Sequence, residues 1–87
     1  MKNSKLSPKI TSITPNCDYT LTLKYGKEKR VFDMKPFLKI GLYKQLTDIN
    51  VFKTAKISFD TIEWENGIDI DPEFLYTKSK SLATEAT

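Results

Sequence analysis

The sequence predicts an α+β domain: a small antiparallel sheet of about five short strands in two hairpins, packed with two or three short helices. Three observations predict it. The stretches YTLTLKYGKEKRVFDM (19–34) and KISFDTIEW (56–64) alternate apolar and polar residues, the period of two that a half-buried strand requires. Between them, Leu38, Leu42 and Leu46 recur at helical spacing, followed by Ile49 and Phe52. After them, Asp71-Pro72-Glu73 has the composition of a helix start.

The elements follow in chain order. Residues 1–7 are expected to fray, with residues 8–77 as the one domain that 87 residues allow. PKITSIT (8–14) is short and β-branched, with Pro8 where no ladder donor is needed, and reads as an edge strand. PNCD (15–18) is a turn cluster. In the first hairpin Gly26 supplies the turn, and a two-residue loop at 25–26 or 26–27 gives the same facing. Phe32 and Met34 then join Leu21 and Leu23 on the core face, and Val31 and Asp33 join Thr20 and Thr22 on the other. Gly41 interrupts the leucine stripe, and Asp48 is placed to cap a second turn over 49–53. One short helix near 40–47 and a helical turn are therefore expected, with Phe37 and Tyr43 against the sheet.

In the second hairpin, a tight loop at Asp60-Thr61 pairs Phe59 with Ile62 and Ile57 with Trp64, setting four apolar residues on one face. Trp64 is expected in the core; an exposed Trp64 would instead be an interface anchor. ENG (65–67) is a turn. Residues 78–87, KSKSLATEAT, are small and polar and read as a disordered tail.

Composition narrows the chemistry. No apolar run approaches the roughly 18 residues of a membrane helix, MKNSKLSPK lacks the apolar stretch of a signal peptide, and a single Cys17 cannot form an internal disulfide. A cytoplasmic protein with no membrane contact is the expectation. With no histidine, Ser-His-Asp and Cys-His catalysis and nearly all zinc sites are excluded. Neither common phosphate loop occurs among the three glycines. No cofactor, no metal and no catalytic residue is assigned, and a non-enzyme is expected.

The densest chemistry is WENGIDIDPEF (64–74), with carboxylates at Asp69, Asp71 and Glu73. Asp71 as N-cap, Pro72 as first helical residue and Glu73 in the first turn explain two of the three acids by helix initiation. Asp69 is left over; turned inward, it would accept backbone donors from the Asn66-Gly67 turn. Charge is uneven as well. Residues 1–58 hold twelve Lys/Arg against four Asp/Glu, a net of +8, and residues 59–87 hold two Lys against seven Asp/Glu, a net of −5. Lys24, Lys27, Lys29 and Arg30 gather near the first hairpin tip, read first as a solvated tip and second as a basic finger for phosphate or an acidic partner.

Taken in order, RVFDM with the following Pro36 and Leu38, then GLYKQL, then WENGIDIDPEFL, resemble the small bacterial family catalogued as domain of unknown function 2442, over roughly residues 8–78. Arg30, Phe32 and Asp33 match the first motif; Trp64, Asn66, Gly67, Asp69, Ile70, Pro72 and Leu75 match the last. Glu65 departs from the proline that many members carry after the tryptophan. The resemblance implies a compact α+β fold and no established activity. Relatives resembling this domain beside a helix-turn-helix segment, or in gene pairs with another small protein, imply transcription-related or antitoxin-like roles.

Three functions are therefore carried forward. The first is a non-catalytic protein-interaction module, the accessory or antitoxin-like partner of another small bacterial protein, with homodimerisation open. The second is a nucleic-acid-associated or transcription-related domain. The third is a small carboxylate-based metal-binding or enzymatic domain around Asp33, Asp69 and Asp71. The candidate interaction residues are Arg30, Asp33, Trp64, Asn66, Gly67 and Asp69.

Overall fold

The structure, a computed structural model, describes residues 9–82, so the expected frayed segment 1–7 and the last residues of the expected tail lie outside it. Six strands and four short helical segments form the α+β fold. Strands β1 (Ser12–Pro15), β2 (Thr20–Tyr25), β3 (Glu28–Asp33) and β6 (Lys80–Ser81) make a sheet in the order β1-β2-β3-β6, and β4 (Lys56–Ser58) pairs with β5 (Thr61–Glu63) in a second, two-stranded sheet. Every pairing is antiparallel.

The β1–β2 turn is built by local side-chain bonds. Asp18 Oδ1 accepts from Thr20 N at 3.2 Å and from Thr20 Oγ1 at 2.6 Å, and Asn16 Nδ2 donates to Thr20 Oγ1 and Thr22 Oγ1. This is how Asn and Asp substitute for backbone partners in turns. The β2–β3 hairpin closes at Gly26-Lys27, with Gly26 at φ +65°. Leu21 sits opposite Phe32 and Thr22 opposite Val31. Leu21, Leu23, Phe32 and Met34 are all buried, the facing the alternation predicted.

The connection after β3 is helical, as predicted, but mostly of the tighter kind. Lys35–Phe37 is a 3-10 turn, Gly41–Thr47 a 3-10 helix, and α1 (Ile49–Phe52) a single α turn capped by Asp48, whose carboxylate accepts from Asn50 N. A 3-10 helix has three residues per turn, so residues four apart no longer share a face. Gly41, at φ +50°, also breaks the run between Leu38 and Leu42. The leucine stripe is thus corrected: Leu46 is buried, whereas Leu42 is 69% exposed. Phe37 stacks on Phe32 at 5.6 Å between ring centres, and Tyr43 packs half-buried against the core.

The loop of the second hairpin lies one residue earlier than predicted, which shifts the strand pairing by two. Its loop is Phe59-Asp60, so Ser58 faces Thr61 and Ile57 faces Ile62. The reason lies on the other side of β5. The Asn66-Gly67 turn folds the chain back on β5: Ile68 O accepts from Trp64 N at 2.8 Å, and Ile62 O accepts from Ile70 N at 3.3 Å. Ile68 and Ile70 thereby take the buried positions that Ile57 and Phe59 were expected to fill. Phe59 is left at the tip, 98% exposed, with φ +57°. The left-handed region costs a residue with a Cβ about 1–2 kcal/mol, and glycine avoids that cost. Phe59→Gly is expected to leave the fold intact and raise its stability by about 0.5–1 kcal/mol, after glycine's greater unfolded-state entropy is deducted, in a chemical denaturation curve.

The last helix, α2 (Pro72–Lys78), begins as predicted. Asp71 Oδ2 accepts from Phe74 N at 3.0 Å, Pro72 follows, and Glu73 lies in the first turn. Leu75 is fully buried, and Phe74 meets the edges of Phe32 and Phe37. Residues 78–82 of the expected tail are ordered instead. Lys78 ends α2, Ser79 is buried, and Lys80–Ser81 pairs with Arg30 and Val31 as β6. Backbone pairing needs no apolar side chain, so the small polar composition did not reveal it.

Candidate functional site

The exposed groove on this fold lies where two distant sequence motifs meet. One wall is the start of the Gly41–Thr47 helix with Ile40; the other is the turn Asn66-Gly67-Ile68-Asp69. The groove holds about 420 Å³. Ile40 and Leu42 stand on its rim, 55% and 69% exposed, and Ile68 forms a buried floor.

The turn wall is fixed from within. Gly67 N donates to Trp64 O at 2.9 Å, and Ile68 N donates to Asn66 Oδ1 at 3.3 Å. Gly67 sits at φ +90°, which any other residue would adopt only with strain. Asn66 Nδ2 reaches across to Gln45 Oε1 at 3.2 Å, tying the two walls together. Beneath them Trp64 is 1% exposed, and its indole Nε1 donates to Phe52 O at 2.9 Å. Trp64 is therefore a core residue, as expected, and supports the turn without lining the groove.

The sequence left the orientation of Asp69 open. Asp69 is exposed rather than turned inward, and Asn66 supplies the acceptor inside the turn. Its backbone carbonyl lies 3.5 Å from the Tyr43 hydroxyl. Burial, with the Asp69 charge as a smaller contribution, raises the pKa of Tyr43. The Asp71 carboxylate is committed to its helix. Asp33 lies elsewhere, accepting from Lys35 N at 3.0 Å and pairing with its ammonium at 3.1 Å. Among the described residues no three His, Cys, Asp or Glu side chains gather as a metal site, and no helix is long and apolar enough to cross a membrane.

The family model described as Protein of unknown function (DUF2442) matches residues 10–81. The chain belongs to the DUF2442 family. No curated protein and no solved structure matches it. In this DUF2442 domain the residues quoted from GLYKQL and WENGIDI form the two walls of one groove, although more than twenty positions separate them in sequence. Of the candidate residues, Asn66, Gly67 and Asp69 line it. Ile40, Leu42 and Gln45 were not foreseen there; the exposed leucine had been read as core.

Arg30, the remaining candidate, is turned away from the hairpin tip and holds the end of α2. Its Nε donates to Ser79 Oγ at 2.6 Å, and Nη2 donates to the carbonyls of Ser79 and Tyr76 at 2.7 and 3.2 Å. Nη1 pairs with Glu28 Oε2 at 2.6 Å, and the guanidinium lies 4.1 Å over the Tyr76 ring. The last carbonyls of a helix lack intrahelical partners, and a cation there also meets the negative end of the helix dipole. Tyr76 completes the cluster by donating to Glu28 Oε1 at 2.8 Å. That bond first, and Arg30 second, hold the Glu28 carboxyl below its ordinary pKa. Tyr25 packs edge-on to Tyr76, and burial pushes its hydroxyl up to about 12.

Proposed function

We propose that this DUF2442 domain is a non-catalytic protein-interaction module acting in the cytoplasm, the accessory or antitoxin-like partner of another small protein. The observation that carries the reading is the groove: two sequence stretches far apart in the chain converge on it, and Ile40 and Leu42 stand exposed on its rim. A pair of large aliphatic side chains held in water beside a concave surface is the usual mark of a docking site. Asp69, on the same rim, carries no ion pair among the described residues. The occupant that fits is an apolar segment of the partner bearing a lysine or arginine. Cys17 is exposed and free, which fits a reducing compartment.

Tagged wild-type chain and a Leu42→Asp variant are to be compared for capture from a native lysate treated with nuclease. Leu42 is largely exposed, so the variant is expected to fold, checked by the fluorescence of buried Trp64. A protein retained by the wild type is expected to bind the variant at least about tenfold more weakly, and Asp69→Lys is expected to weaken it as well. Equal recovery of the same proteins on wild type and Leu42→Asp, or recovery on neither, overturns the reading.

A further inference from the structure

The outer face of the four-stranded sheet carries a cluster of three lysines. The core-facing residues of β2 and β3, Leu21, Leu23, Tyr25 and Phe32, are buried; the residues between them point the other way. On that outer side Lys24 lies directly opposite Lys29. Leu82 N donates to Lys29 O, and Lys80 faces Val31, so Lys80 is the diagonal neighbour of Lys29 on the adjoining strand. All three lysines are exposed. Like charges placed directly opposite on a sheet destabilise it, and diagonal neighbours stand only about 7–8 Å apart. Among the described residues one carboxylate, Asp33, shares this face, two positions beyond Val31. The sheet's own acids are engaged: Glu28 with Arg30 and Asp33 with Lys35. The other acids of the described second half, Asp60 to Glu73, belong to the second hairpin, the groove turn and the start of α2.

We infer that this face binds the phosphate backbone of duplex nucleic acid without reading its sequence, through Lys24, Lys29 and Lys80. The rest of the face supports that partner over others. Thr14 and Thr22 point outward with the lysines, and hydroxyls with ammonium groups are the usual donors to phosphate oxygens; the Thr20 hydroxyl is already given to Asp18. Among the described residues no aromatic ring lies on this face, so they offer no platform for stacking single-stranded bases. Among the described residues the sizeable apolar side chains there are Val31 and Leu82, too few for the buried anchor of a protein interface. Arg30, the chain's single arginine and its best base reader, is withdrawn into the α2 cluster, which leaves positioning contacts alone.

The inference is independent of the groove and is tested on the purified chain. Binding to a short labelled DNA duplex of random sequence is measured across salt concentrations. Three phosphates neutralised give a slope of about −2.7, or an affinity loss of about 40-fold between 50 and 200 mM salt. Lys24→Gln, Lys29→Gln and Lys80→Gln are each expected to reduce the slope by about one, the triple variant to lose measurable binding, and Lys53→Gln, beyond α1, to leave it unchanged. Salt-independent binding, or a triple variant that binds as Lys53→Gln does, overturns the proposal. So does lysine-dependent binding to vesicles containing phosphatidylserine, or to polyglutamate, with none to the duplex.

Discussion

Replacing Trp64 with alanine is expected to cost about 3–5 kcal/mol, the range for deleting a large buried aromatic. Trp64 is 1% exposed, packs beside Phe52, and donates its indole N–H to the Phe52 carbonyl. The substitution opens a cavity under the groove turn and leaves the Phe52 carbonyl with only the longer bond from Ala55 N, at 3.3 Å. A domain of this length has roughly 4–13 kcal/mol of stability in all, so the variant is expected to be marginal at room temperature. Urea denaturation followed by far-ultraviolet circular dichroism measures it. Trp64→Phe separates the two contributions: it fills much of the cavity but does not restore the indole donor, and is expected to retain a deficit of about 0.5–1.5 kcal/mol. A Trp64→Ala midpoint within error of wild type would refute the assigned role.

The second large effect belongs to Arg30. Arg30→Ala removes the donors to Ser79 Oγ and to the Tyr76 and Ser79 carbonyls, the ion pair with Glu28, and the contact with the Tyr76 ring. A loss of about 2–4 kcal/mol is expected. Arg30→Lys should recover little, because a single ammonium cannot serve a hydroxyl, two carbonyls and a carboxylate in one plane. The same cluster gives an acid dependence. The folded pKa of Glu28 lies below its ordinary 4.5, so its contribution is complete above that value and is lost as pH falls through the lower folded value. Arg30→Ala should shrink this acid-induced loss without abolishing it, because the Tyr76 hydroxyl is the larger cause. Urea midpoints at neutral and acid pH, for wild type and variant, check both statements.

What could be read from the sequence depended on how local its cause was. The β2–β3 facing was legible because alternation and Gly26 confine it within sixteen residues, although two registers shared that facing, and the start of α2 because Asp71 and Pro72 act within one turn. Phe59 was misplaced because its facing is decided by Ile68 and Ile70, which take the buried positions from the far side of β5. Leu42 was misplaced because its spacing fits an α-helix while Gly41 and a 3-10 winding turn it outward. Three groove residues, Asn66, Gly67 and Asp69, were legible through the family motif; the wall facing them was not. Arg30 was found as a motif residue but not in its role, since its partners include backbone carbonyls 46 and 49 positions away, and carbonyls leave no mark in a sequence.

The two-residue strand β6 has a colloidal consequence out of proportion to its length. Without it, β3 would be an edge, with unpaired amides and carbonyls beside Val31 and the neighbouring apolar Phe32. Such an edge is a template on which another chain can add a strand. Lys80 and Ser81 occupy that template and present a charge outward, and the Arg30 grip on Ser79 keeps them in place. The arginine that ties down α2 thereby also protects the sheet from self-association, so loosening this one side chain would threaten solubility before it dismantled the core.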